Sequence, residues 1–445
     1  MKSKVSIIFE NGSVLPMDGS YYSSGFVAVD GRKIVAVGDM RDAFQFDAQE
    51  RVDASGCVIL PGMINGHTHM GMGYMRGFAD DMNLYDFIDR TFQPVLDSTE
   101  PVVYIYTLLN AMEMIQSGYT MVADSMYQLN GSIRAITDSG MRGKMCETTV
   151  DFHDSQKAAR LIQAADDFYS KYQNSADGRI TVDFCLHGAY SCSEELLLGI
   201  AEAAEGRKAD IQIHVSESLQ ELADLRQQHG TTPTQYLEKL GILRSNLIAA
   251  HFVQVNERDM DLARDRGIRV AHNIASNMKL ASGLAPIAKL RERGIPVSLG
   301  TDSSVTNNRL DAFDTMKMTA LIPKGFCYDA TMLPAREVLE MSTIEGARAM
   351  GMEDQIGSLE AGKLADLILV RMEGKPNYIP WWKENMNHTI SNLVYSGNNS
   401  DVETVMINGD FVMRNKKILT FDEETIMEKA QIMGMQGLKD ANLLG

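Results

Sequence analysis

The middle of the chain, residues 58–357, alternates β-rich runs with amphipathic helical stretches, and no other feature constrains the fold as much. The runs cover 58–69, 120–126, 143–150, 180–188, 211–218, 247–253, 270–277 and 297–303. Between most of them lie helical patterns such as 193–204, 219–229, 257–266 and 309–321. Strands separated by helices pair in parallel, with the helices outside. Eight such units predict an α/β chain built on a (β/α)8 TIM barrel. An open doubly wound sheet is the runner-up. It usually carries a Gly-rich phosphate turn after a strand, and neither GxGxxG nor GxxxxGK occurs here.

The two ends of the chain read as short strands. Segment 5–9 is apolar and Asn11-Gly12 marks a turn; Asp30-Gly31 joins 25–29 to 34–37 as a hairpin. The same grammar returns in 365–370 and in 402–407, which leads through Asn408-Gly409 into 410–413. These ends are expected to form one small composite β-sandwich domain. Its halves are 1–58 and 358–445, the second with a C-terminal helix, and the barrel occupies 59–357.

Polar chemistry gathers at the ends of the barrel runs. The first ends in His67-Thr68-His69, the fourth in His187 and the fifth in His214-Val215-Ser216-Glu217. The sixth contains His251, the seventh His272, and the eighth ends in Thr301-Asp302. In a barrel these ends meet at one face, where active sites are built. His67 and His69 are two apart on an extended segment and point to the same side. With His214 and Asp302 they offer three imidazoles and a carboxylate, a set suited to one borderline divalent ion such as zinc, with a position left for water. An HxH pair alone is a weak signal; the convergence of five or six strand-end groups is not. Because run four ends in histidine, with no bridging carboxylate or lysine, one ion is expected and His187 becomes a substrate contact. His272 could orient a loop or a ligand. His153, His229 and His388 lie in helical or loop contexts and are expected to be structural.

Composition narrows the partners. Asp and Glu outnumber Lys and Arg by 59 to 42, a net charge of −17 that argues against nucleic acid and anionic membranes. No apolar run reaches the roughly 18 residues that span a bilayer, and the N-terminus does not read as a signal peptide. The five cysteines are odd in number and lack CxxC spacing, so a disulfide framework is not expected and a reducing cytoplasm is. Methionine is abundant, at 29. Met70, Met72 and Met75 are expected to pack around a pocket as soft gap-fillers.

Several motifs carry a family resemblance. Pro61-Gly62-Met63-Ile64-Asn65-Gly66-His67-Thr68-His69 resembles the start-of-barrel motif of the amidohydrolase superfamily. Ile213-His214-Val215-Ser216-Glu217, Ala250-His251, Ala271-His272-Asn273 and Leu299-Gly300-Thr301-Asp302 resemble its later motifs, in order. Gly357-Ser358-Leu359-Glu360-Ala361-Gly362-Lys363 is similar to the return into the β-domain. The resemblance runs from about Gly31 to about Leu419 and is strongest to the deaminase and chlorohydrolase branch, in particular to methylthioadenosine/S-adenosylhomocysteine deaminases. It implies one divalent ion, often zinc, on His67, His69, His214 and Asp302, and catalytic roles for Glu217, His251 and Asp302. It also implies release of ammonia from an amino-substituted heteroaromatic; loss of chloride or opening of a ring amide is the second reading, and a non-catalytic scaffold the third. Homo-oligomers are common in the superfamily, so one is expected here.

The same resemblance bears on substrate. Aligned on Pro94, Leu96 replaces a glutamate that resembles a clamp for ribose hydroxyls. Aligned on Met141-Arg142, Glu147 replaces an arginine facing the far end of a nucleoside. Phe87 stands where an aromatic, usually tryptophan, is found, and His187 resembles a kept ribose-side contact. The expectation is a free base or compact amino-heterocycle, with donor groups facing Glu147, and poor turnover of S-adenosylhomocysteine.

Overall fold

A computed structural model describes residues 2–127 and 129–440. Eight parallel strands form the barrel wall in chain order: Met63–Thr68, Tyr119–Met126, Arg142–Thr149, Phe184–Gly188, Ile211–Val215, Leu247–His251, Arg269–His272 and Val297–Leu299. They are almost wholly buried, as strands covered on both faces must be. The eighth strand returns to the first. The Asp302 N–H donates to the His67 carbonyl at 2.9 Å. The Asn65 amide accepts from the Thr301 N–H at 3.0 Å and donates to its hydroxyl at 2.7 Å. This seam needs glycine, because a Cβ on Gly300 would stand 2.2 Å from Asn273 Oδ1.

Three expected runs are divided. The run 58–69 is two strands: Cys57–Pro61 belongs to the other sheet and Met63–Thr68 to the barrel. Run 180–188 breaks at Asp183, whose carboxylate is drawn to Lys144 at 2.9 Å and Gln212 at 3.0 Å. Run 270–277 ends as a strand at His272, and the chain turns at once into the short helix Ile274–Lys279.

Strands from both chain ends form the second, mixed sheet. Leu367–Arg371 pairs with Cys57–Pro61, which bridges the two ends of the chain. The Asp30-Gly31 and Asn408-Gly409 hairpins form as expected, with positive φ at Gly31, Asn408 and Gly409. Asn11-Gly12 is different. Ser3–Val14 runs straight through it, and Asn11, at φ 69°, marks a bulge in the pairing with Tyr22–Asp30. Apolar residues pack on both sides of this sheet, Ile8 and Phe26 on one, Phe9 and Val27 on the other. A buried bidentate pair, Arg142 to Asp366 at 2.8 and 3.0 Å, ties the third barrel strand to the segment entering the mixed sheet.

One further element shapes the site. The helix Leu84–Leu96 is capped by Asn83, whose side chain accepts from the Asp86 N–H. It lies across the mouth formed by the C-terminal ends of the barrel strands. Tyr85 donates to Asp224 at 2.7 Å and so fastens it to the helix Leu219–His229.

Candidate active site

His67, His69, His187, His214, Glu217, His251 and Asp302 meet at the C-terminal end of the barrel. The strand ends turn sharply to aim them: Ser216, His251 and Asp302 have φ of 55°, 74° and 59°. Each such left-handed residue costs roughly 1–3 kcal/mol, strain that concentrates at functional sites. Asp302 is held in place by its N–H bond to the first strand and by the Ser303 N–H donating to its carboxylate at 2.7 Å.

Hydrogen bonds set the imidazole tautomers. His69 Nδ1 lies 2.5 Å from the Ser125 carbonyl and His214 Nδ1 2.5 Å from the His187 carbonyl. A carbonyl only accepts, so both Nδ1 atoms carry the proton and both Nε2 atoms present a lone pair. Those two Nε2 atoms face each other at 3.4 Å. Two lone pairs repel unless a cation lies between them. The spacing equals that of two nitrogens on one tetrahedral ion, about 3.4 Å for bonds of about 2.1 Å. His67 Nε2 is buried without a hydrogen-bond partner among the described residues, 4.0 Å from Asp302 Oδ1. His69 Nε2 is 3.6 Å from the same oxygen.

Charge favours the same group. Burial drives the His67 and His214 pKa values well below the usual imidazole range, so both rings are neutral and free to ligate. Burial alone would raise the Asp302 carboxyl, but the surrounding His69, His251 and His67 rings bring it down to about 2. The donor atoms of His67, His69 and Asp302 lie within 4.8 Å of one another, as do those of His67, His214 and His251. The set fits one divalent ion of the zinc class, with His251 also within reach of it.

Glu217 and His251 stand beside this set. Glu217 Oε2 is 3.7 Å from His251 Nε2. Burial, reinforced by Asp302, pushes the Glu217 carboxyl well above its usual range. Its backbone is gripped by Glu221, whose two carboxylate oxygens accept the Ser216 and Glu217 N–H groups at 3.0 and 2.6 Å. His251 Nδ1 is 2.8 Å from Asn277 Oδ1. His187 lines the cavity with Nδ1 2.8 Å from Ser191 Oγ, and burial lowers it to about 4.

These groups open into a narrow, partly enclosed cleft at the barrel mouth. The helix Leu84–Leu96 presents Leu84, Phe87, Ile88, Thr91, Phe92 and Val95 to it. At about 100° per residue these six form one stripe.

Two expected substrate contacts lie elsewhere. Leu96 falls about 120° around the helix from Leu84; it is 36% exposed, and Val95 lines the cleft in its place. Glu147 is half-buried outside the cleft, and its strand neighbour Thr148 lines it. Adjacent strand residues face opposite sides, so only one of the pair can point inward. Phe87 does line the cleft. His272 is buried beside the site, lowered by burial to about 3, with neither ring nitrogen partnered among the described residues. His153 bonds the Tyr190 carbonyl, His229 stacks on Tyr236, and His388 bonds the Trp382 N–H.

Sequence reasoning did not single out Ser125, Asn277 as a partner of His251, Glu221, Phe92, Val95 or Thr148. The helix stripe was detectable as spacing of three and four, and Glu221 as the third residue of the helix that Ser218 caps, an S-x-x-E start whose glutamate reaches back to backbone N–H groups. Ser125 acts through its backbone carbonyl, which leaves no trace in residue type.

The amidohydrolase family model matches residues 58–412. A 5'-deoxyadenosine deaminase of Methanosarcina barkeri is 38% identical over 428 residues, covering 96% of each chain. A 5-methylthioadenosine/S-adenosylhomocysteine deaminase of Desulforudis audaxviator is 35% identical over 426 residues, covering 96% of this chain and 97% of its own. The crystal structure of an adenosine deaminase from Xanthomonas campestris with bound zinc superposes at a TM-score of 0.90 with 28% identity, over 100% of both chains. With that match and these full-length likenesses, the chain belongs to the amidohydrolase family and is a hydrolase of carbon–nitrogen bonds.

Proposed function

We propose that this protein deaminates an adenine-type amino-heterocycle, replacing the exocyclic amino group with oxygen from water and releasing ammonia. One divalent ion, zinc by preference, is assigned to His67, His69, His214 and Asp302. The chemistry such an ion supplies is the acidification of water, from a pKa of about 15.7 to about 7.

The protein's own groups do the rest. Glu217, whose carboxyl burial pushes well above its usual range, donates a proton to the ring nitrogen beside the amino-bearing carbon. That carbon becomes electrophilic and the water oxygen bonds to it. Asp302, ionised, accepts the proton that the water gives up. His251 stabilises charge at the tetrahedral carbon. A proton passed to the amino group lets the carbon–nitrogen bond break and ammonia leave. His187 contacts the substrate from the fourth strand. The five free cysteines suit a reducing cytoplasm.

The observation that carries this reading is the buried, raised carboxyl of Glu217 next to paired imidazole lone pairs on one cleft wall. A carboxyl biased by burial toward its protonated form is what ring protonation needs. The likeness to three deaminases of adenine compounds supports the same ring. The test is a screen of zinc-loaded protein against purines, pterins and triazines with ammonia as readout. Adenine compounds should head the panel; chloride release from chlorotriazines without ammonia from any purine would overturn the reading.

A further inference from the structure

Two polar segments take no part in the reaction above: 76–81, which leads into the covering helix, and Asn277-Met278-Lys279, after the seventh barrel strand. The fold brings them together. Lys279 ends the short helix Ile274–Lys279. Its ammonium donates to Asp80 Oδ1 at 2.5 Å, to the Val305 carbonyl at 2.7 Å and to Asn308 Oδ1. An ammonium has three protons to donate, so these bonds use all of them. A lysine at a helix C-terminus ordinarily serves the last carbonyls of its own helix; all three of these acceptors lie outside it. Val305 and Asn308 belong to the turn after Asp302. There the Ser303 hydroxyl accepts the Val305 and Thr306 N–H groups at 3.2 and 3.0 Å, and the Asn307 side chain donates to the Thr301 carbonyl at 2.9 Å.

The covering helix Leu84–Leu96 is held unequally at its two ends. Near its C-terminal end the contacts are buried. Tyr74 donates from its hydroxyl to the Pro94 carbonyl at 2.6 Å, and the Ser98 hydroxyl donates to Tyr74 at 3.0 Å. At its N-terminal end they reach solvent. The Lys279 and Asp80 side chains are 20% and 40% exposed, and half-buried Tyr85 donates to half-buried Asp224. The chain leading in is fixed as far as Arg76, which donates to Asn110 and Glu113 at 3.0 and 2.8 Å. Gly77 follows at φ 83°, with open space where a Cβ would stand. It is a swivel that no side chain blocks.

We propose that the covering helix is a lid that swings from its Tyr74 end, and that Lys279 is the latch tying its other end to the turn that follows Asp302. Opened, the lid admits the substrate. Closed, it sets Leu84 and Phe87 across the cleft from Leu280, Ser303 and Thr306 and keeps bulk water out of the reaction. Lys279 does not line the cleft, so it is a positioning residue: it acts through the lid and the turn that it joins. The latch rests on the cleft being where the deaminase reading places the reaction. Its partners are solvent-facing enough to part and re-form in each turnover, unlike the buried contacts at the Tyr74 end.

The experiment compares zinc-loaded wild type, Lys279→Met, Asp80→Asn and the double variant. Amide hydrogen exchange over residues 77–93 reads the lid without turnover, and ammonia release from 5'-deoxyadenosine gives kcat and KM. Lys279→Met should speed exchange in that segment about tenfold, the worth of a charge-assisted bond at a half-exposed place, with the barrel strands and metal content unchanged. KM should rise by about the same factor while kcat stays within about threefold. Asp80→Asn should give a smaller rise, about threefold, and the double variant should match Lys279→Met alone, because the two changes remove one shared contact. If Lys279→Met fails to fold, Asp80→Asn on the surface decides by the same segment. Unchanged exchange over 77–93, a rise spread evenly through the barrel, or a double variant equal to the product of the singles would overturn the latch; with ammonia still released, the deaminase reading would stand. Exchange that shifts as expected, with no ammonia from the wild type, would overturn the deaminase reading and keep the lid. Neither effect would overturn both.

Discussion

His251 Nδ1 lies 2.8 Å from Asn277 Oδ1, and this bond turns the opposite ring nitrogen toward Glu217, 3.7 Å away. Asn277 lines no part of the cleft and is fully buried, so it is a positioning residue. Removing such a partner typically costs about 10–100-fold. Asn277→Ala should therefore lower kcat by about that factor without loss of metal. Asn277→Asp keeps an acceptor and should restore most of the rate. It should also move the alkaline limb of the kcat/KM profile to higher pH, because a carboxylate favours the cationic form of His251, the form that stabilises negative charge. Identical pH profiles for the wild type and Asn277→Asp would contradict this role.

Glu217 is expected to move protons and not to ligate. Glu217→Gln should retain metal by elemental analysis and lose about 10²–10⁴-fold in turnover, the usual contribution of a placed acid. The raised carboxyl also sets a pH sign. An acid works below its pKa, so the raised carboxyl extends activity to higher pH than an ordinary glutamate would, and activity should fall as pH rises through the raised value. A rate that climbs steadily into the alkaline range would contradict the assignment.

Metal content follows from the lone-pair geometry of His69 and His214. Purified protein should carry about one divalent ion per chain. His67→Ala combined with His69→Ala should abolish it, and dialysis against a chelator should remove it together with activity. Two tightly held ions, or unchanged content in the double variant, would be inconsistent with this site.

At the opposite end of the barrel, Lys144 Nζ sits 2.9 Å from Asp183 and 2.8 Å from Asp210, and Arg269 also pairs with Asp210. Burial would raise Asp210, but Lys144 and Arg269 outweigh it and hold its carboxyl below the ordinary value of 3.8. A depressed carboxylate adds stability that is present above 3.8 and lost as pH falls through the lower folded value. Lys144→Met leaves Asp183 and Asp210 short of a cation in a buried place. It should cost about 3–5 kcal/mol at neutral pH, and the deficit should shrink toward about pH 4 as those carboxyls protonate. Urea melts across that range measure it, and a deficit independent of pH would count against the pairing.

Much of this architecture was legible from residue order. Alternating runs announced the barrel, and histidines at run ends announced where the chemistry gathers. The composite sheet followed from the two hairpin turns at Asp30-Gly31 and Asn408-Gly409. Asn11-Gly12 was misleading, because the dipeptide that suits a turn also suits a bulge at positive φ. Substrate contacts were least legible. Leu96 and Glu147 are each one residue from a cleft-lining neighbour, Val95 and Thr148. Which of two adjacent residues points inward depends on helix phase and strand register, which are fixed by tertiary packing. The tautomers of His69 and His214 depend on backbone carbonyls brought in from other strands, and residue types do not encode them.

The central claim, hydrolytic deamination at this cleft, is tested most directly by the fate of oxygen. Zinc-loaded protein would be given 5'-deoxyadenosine in water enriched in oxygen-18, with product mass and ammonia measured together. The account predicts one ammonia per product, one heavy oxygen on the purine carbon that bore the amino group, and neither from Glu217→Gln at a comparable rate. A product that keeps its amino nitrogen, or ammonia formed without oxygen-18 in the ring, would contradict it.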